Sequence, residues 1–166
     1  MDDRAAERSG VEPLRVYVDT SVFGGCLDAE FAAESQRFFA LVHAGRIVVL
    51  ISQVVVDELA DAPQQVREVL ESLPMESAVL VELTPEIIEL RNAYLAAGIV
   101  HHRFMDDATH VAAATVVSAD AIVSWNFRHI VRLDKMRAYN QVNIQAGYGR
   151  LSIVSPQEVR LDEDED

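Results

Sequence analysis

Cysteine and lysine are almost missing from this chain of 166 residues: each occurs once, as Cys26 and Lys135. One cysteine excludes an internal disulfide framework and a cysteine-based zinc ribbon, and it suits a reducing compartment. No apolar run approaches the ~20 residues of a membrane span. The opening stretch MDDRAAERSGVE is too acidic and too poor in apolar residues for a secretory leader, so a soluble, cytoplasmic protein is expected. Basic residues are scarce as well, 14 against 27 acids, for a formal charge of −13. That deficit excludes tight, nonspecific nucleic-acid binding through a broad basic face, which needs many cations to release counterions. It leaves metal-assisted phosphate chemistry open, because an acidic site can meet a polyanion through a bound cation. Repeats, low-complexity linkers and Pro/Gly/Ser-rich hinges are also lacking, so one domain is expected.

Half of the residues are hydrophobic, enough to bury a core without staples. The domain is placed at residues 14–160, after a flexible tail over 1–13 and before an acidic tail over 161–166 whose last five residues are all Asp or Glu. Within it, short β-branched runs alternate with helical patterns. Strands are expected at Leu14–Asp19, Arg46–Ile51, Ala78–Leu83, Ala121–Ser124 and Leu151–Val154. Helices are expected at Ala29–His43, closed by Gly45; from a Ser52 cap to Ala60; after Pro63; from Thr84-Pro85-Glu86 to Gly98; at Asp107–Ser118; and at Lys135–Gln145. Gly24-Gly25 read as a loop. Strands separated by helices imply an α/β, three-layer fold: a central parallel sheet of four to five short strands flanked by helices.

In open parallel sheets, functional groups collect beyond the carboxyl ends of the strands. Asp19 closes the first strand, followed by Thr20-Ser21, and Ser124-Trp125-Asn126-Phe127 closes the fourth. Glu58 lies within the helical VVVDEL, and Asp107 opens an Ala-rich helix small enough to pack tightly against the sheet. Three carboxylates and an amide form an all-oxygen site of the kind that hard cations such as Mg²⁺ or Mn²⁺ favour. Each residue also has a purely structural reading. Asp19 can satisfy backbone donors, Glu58 can belong to a solvated face, Asp107 can complement a helix terminus, and Asn126 can serve a turn. His110 reads as a core histidine and Trp125 as core or rim, while the adjacent His101 and His102 would point apart.

Taken in order, VYVDTSVF, SQVVVDEL and DDATHVAAATVVSADAIVSWNF resemble the PIN-domain family of metal-dependent ribonucleases. KMRAYNQVN and SIVSP resemble one bacterial subgroup of it, commonly the VapC-type toxins of toxin–antitoxin pairs. The resemblance implies a PIN-like fold, Mg²⁺ or Mn²⁺, endonucleolytic cleavage of RNA, frequent homodimers and often a small antitoxin that blocks the site. By the same resemblance the catalytic set falls on Asp19, Glu58, Asp107 and Asn126, with the metal on Asp19, Glu58 and Asp107 and support from Ser21 and Ser124. Asn126 departs from the acid that many members carry; an amide oxygen brings no charge, so a second cation is expected to bind more weakly. Asp106 is a substitute candidate, and Asp120 is expected at the far, amino end of its strand. Two rivals remain: a PIN fold kept as a protein-binding module, and a haloacid-dehalogenase-like phosphatase. The phosphatase needs a second Asp where Ser21 stands and a Lys before the Asp106-Asp107 pair, whereas Lys135 follows it.

Overall fold

Valine and isoleucine dominate the strands because both faces of a parallel sheet are covered, so no polar alternation is needed. In the computed structural model, which describes residues 12–162, β1 (Leu14–Val18), β2 (Ile47–Ser52), β3 (Ala78–Val81), β4 (Ala121–Val123) and β5 (Ile153–Val154) form one sheet. All pairs are parallel and the order is β3-β2-β1-β4-β5. The chain therefore winds outward from β1 in one direction, then returns to β1 and winds outward in the other. The place where it reverses is the crevice between β1 and β4, where Val16 pairs with Ala121 and Val18 with Val123. Most of the two proposed tails, residues 1–11 and 163–166, lies outside the described residues.

Seven α-helices flank the sheet among the described residues: α1 (Thr20–Gly25), α2 (Ala32–His43), α3 (Gln53–Ala60), α4 (Gln64–Glu71), α5 (Pro85–Ala96), α6 (Met105–Val116) and α7 (Leu133–Gln145). Gly45 and Gly98 follow α2 and α5 with φ of 78° and 74°, the left-handed conformation that ends a helix at low cost in glycine. Thr84 caps α5 by accepting from the Ile87 N–H, as its Thr-Pro-Glu signature requires. In α6, residues 108–115 are all buried, because alanines let this helix lie close on β1, β2 and β4.

The structure corrects several local expectations. Gly24-Gly25 are not a loop but the end of α1, and the loop begins at Cys26. A Cβ on Gly25 would lie 2.5 Å from Ser35 Oγ, so here glycine serves close packing. Ser52 sits at the α3 N-cap position, yet its hydroxyl meets the Tyr17 hydroxyl at 2.8 Å instead of a backbone N–H. Pro63 is the N-cap of α4, one residue before the first turn, and α6 starts at Met105, two residues ahead of Asp107. β5 keeps only two of the four expected residues, because Leu151 N–H and C=O bond the Asn140 side chain instead.

Candidate functional site

Asp19 is the first residue beyond β1, and Ser124 the first beyond β4, so both stand at the reversal point of the sheet. Ser124 Oγ–H donates to Asp19 Oδ2 at 2.9 Å, and Ser21 Oγ–H donates to Oδ1 at 2.6 Å. Each serine is itself fixed: Ser21 Oγ accepts from the Trp125 N–H and Ser124 Oγ from the Asn126 N–H, both at 2.9 Å. Asp19 occupies the N-cap of α1 without capping it, and its carboxylate takes hydroxyls instead of backbone donors. It is only 4% exposed. Burial pushes its carboxyl above the ordinary carboxylate range; His110 and the two serines offset part of this, and the charge of Asp107 adds to it.

His110, on the buried face of α6, is the hub. Its Nδ1 lies 2.8 Å from the Tyr17 hydroxyl and its Nε2 lies 3.1 Å from Glu58 Oε1. Thr20 Oγ1–H donates to the same Glu58 oxygen at 2.9 Å. Burial opposes a charge on His110, but the Glu58 hydrogen bond and the charges of Asp19, Glu58 and Asp107 outweigh it and raise its pKa. Burial likewise pushes the Glu58 carboxyl up, yet the bond and charge of His110 leave it below the usual range. His110 is thus a core histidine, as expected, but one within electrostatic reach of all three carboxylates.

Asp107, an acid of the first turn of α6, meets His129 Nδ1 at 2.9 Å. His129 is set by Asn126, whose Oδ1 accepts from the Arg128 and His129 N–H groups at 3.1 and 2.9 Å. The amide oxygen therefore serves the turn, the structural reading open for it. Asp120 accepts from the Arg15 N–H at the amino end of β4, remote from Asp19. Thr20 is visible beside Asp19, but its bond to Glu58, the Asp107 contact of His129 and the Tyr17–Ser52 pair have no signal in the sequence, because each joins distant parts of the chain.

The donor set of Asp19, Glu58 and Asp107 fits a hard divalent cation by chemistry: all oxygen, with the Asp19 carboxyl buried and raised chiefly by that burial. As they stand, no three His, Cys, Asp or Glu side chains among the described residues are grouped tightly enough to hold a metal; Glu58 and Asp107 each pair with a histidine. A separate groove of about 880 Å³ runs along α7, lined by Leu133, Met136, Arg137, Ile144 and Arg150 among others. It shares no residue with the carboxylate cluster.

Fold and site define a PIN-like α/β architecture with an acidic centre at the sheet reversal. A solved structure described as VapBC2 from Rickettsia felis bound to a DNA fragment from their promoter contains a chain of this fold. The two superpose with a TM-score of 0.53 over 86% of this chain and 98% of that one, at 12% sequence identity. Known family profiles give no match, and neither do curated proteins. No helix among the described residues is long and apolar enough to cross a membrane.

Proposed function

We propose that this chain is a divalent-metal-dependent endoribonuclease of the PIN type, hydrolysing RNA phosphodiester bonds. The observation that carries the reading is the buried Asp19, fixed at the sheet reversal by Ser21 and Ser124, with Glu58 hydrogen-bonded to His110 and the charge of Asp107 bearing on both Asp19 and His110. Asp19, Glu58 and Asp107 would hold Mg²⁺ or Mn²⁺, which when bound lowers the pKa of a water and neutralises charge on the phosphate. The rest is work for the chain itself. Ser21 and Ser124 hold both Asp19 oxygens in one orientation, so the carboxylate loses little freedom on meeting a cation. His110 and Thr20 aim Glu58, and His129 aims Asp107. Asn126 acts one step further out by ordering the turn that carries His129.

The cellular role we propose is that of a cytoplasmic toxin, acting as a homodimer and held in check by a small antitoxin. The fold likeness to a chain of a VapBC2 assembly on promoter DNA supports that pairing. The decisive experiment incubates purified protein with Mn²⁺ and a broad panel of RNAs. Cleavage is expected with the wild type and a loss on the order of 100- to 1,000-fold with Asp19→Ala, whose circular dichroism stays native. An intact panel, or Asp19→Ala indistinguishable from wild type, would overturn the assignment.

A further inference from the structure

A phosphate site in so acidic a protein needs other means of gripping its substrate, and the turn after β4 supplies them. Phe127 is 48% exposed although the turn holding it is rigid, braced by Asn126 Oδ1 and by the Tyr139 hydroxyl donating to His129 O at 2.9 Å. Single exposed apolar residues are ordinary on protein surfaces; the position of this one is not. Its ring lies edge-on to Trp125, 6.0 Å between centroids, and Trp125 is the residue whose backbone N–H fixes Ser21 beside Asp19. Trp125 stacks in turn on Phe31 at 4.3 Å, so Phe127 is the exposed end of a three-ring row whose middle member is tied to the Asp19 site through its backbone N–H.

A second aromatic pair stands on the Asp107 side. Phe104 lies against His129 with centroids 4.1 Å apart, and the guanidinium of Arg103 covers Phe104 at 4.9 Å. Arg103 and Arg128 are both exposed, and among the described residues neither guanidinium has a carboxylate or carbonyl partner. Arg37, Arg132 and Arg160 pair with acids, while Arg15 and Arg67 bond backbone carbonyls. Arg137 and Arg150, along α7, are likewise without such a partner, but Arg103 and Arg128 are the two tied to the Asp107–His129 pair, Arg103 through Phe104 and Arg128 as the residue before His129.

We propose that Phe127 is a base-stacking surface, and Arg103 and Arg128 phosphate contacts, of a binding site for single-stranded RNA running across the carboxylate centre. For its ligand class the proposal rests on the ribonuclease reading. Single strands follow from the chemistry: stacking needs bases that are not already stacked in a duplex, and two arginines are too few to track a helical backbone. With two phosphate contacts the affinity should depend only weakly on salt, log K falling with log salt at a slope of about −1.4.

The test is fluorescence anisotropy of a short labelled single-stranded RNA, with Mg²⁺, on the full chain carrying Asp19→Asn so that the RNA stays whole. Phe127→Ala should weaken binding on the order of 5- to 150-fold, while Phe127→Trp should retain it. Arg128→Gln and Arg103→Gln, both surface changes, should weaken it and each make the salt slope shallower by about 0.7. A duplex of the same sequence should bind at least tenfold more weakly. Unchanged affinity in Phe127→Ala and Arg128→Gln, duplex binding as tight as single strand, or a DNA single strand bound tenfold better than the RNA would each overturn the proposal. The two readings fail separately. If no RNA is cut but Phe127→Ala still weakens binding, hydrolysis falls and this site stands. If Asp19→Ala abolishes cutting while Phe127→Ala binds normally, the reverse holds.

Discussion

At the scale of single residues, the site shows how much depends on atoms with no charge. Ser21 and Ser124 each bridge the Asp19 carboxylate to a backbone N–H of the 124–127 segment, so the acid is oriented by a relay of hydroxyls and not by a cation. Gly25 plays the matching steric part. A methyl group there would come within 2.5 Å of Ser35 Oγ and 2.8 Å of Trp125 Nε1, atoms that hydrogen-bond each other at 2.8 Å in the core. Gly25→Ala is therefore expected to destabilise by about 1–3 kcal/mol through overpacking. It should also disturb the fluorescence of Trp125, the only tryptophan, in the folded state. Urea unfolding followed by that fluorescence checks both; a midpoint equal to wild type would show that Ser35 yields freely.

At the scale of elements, strand positions and the start of α5 were legible because β-branched runs, a capping threonine and a proline act locally. Thr84-Pro85-Glu86 marks α5, and Val16 to Val18 marks the buried end of β1, whatever the rest of the chain does. Asp19, Glu58 and Asp107 could be singled out for the same reason, since each sits at or near the end of a readable element. Ser21 and Ser124 could be named beside Asp19, but the histidine partners of Glu58 and Asp107 could not. His129 lies in a turn whose shape depends on Asn126 facing inward, and His110 finds Glu58 only once α3 and α6 pack against each other. Asn143 is another buried polar residue hidden in a helical pattern. It accepts from the Tyr94 hydroxyl at 2.5 Å and donates to Thr115 Oγ1 at 3.2 Å, tying α7 to α5 and α6. Asn143→Ala leaves Tyr94 with only a 3.4 Å contact to Thr115, so a loss of about 2–3 kcal/mol in denaturant unfolding is expected. A change under 0.5 kcal/mol, the scatter typical of surface sites, would mean that the triangle adds nothing net.

At the scale of the whole molecule, the charge of −13 sets the conditions under which the centre works. Burial and, to a lesser extent, the charge of Asp107 both disfavour the charged form of Asp19, so a bound cation should stabilise the fold itself. Mn²⁺ at 100 times its dissociation constant should add about 2.7 kcal/mol to unfolding. For a chain of this size that is a rise in Tm on the order of 5–10 °C, at about 2–4 °C per kcal/mol. The rise should vanish with EDTA and be much reduced in Asp19→Ala. Differential scanning calorimetry gives both results, and an equal rise in Asp19→Ala would place the ion elsewhere.

The sheet order has a temporal consequence too. Asp19 leaves the ribosome well ahead of the hydroxyl that orients it, which belongs to a residue 105 positions later. The strand bearing that hydroxyl must then slot in on the opposite side of β1 from the strands made before it. A chain that has formed only β1 to β3 can therefore carry the acid and still lack the group that orients it, so the centre is completed only when the second side of the sheet docks.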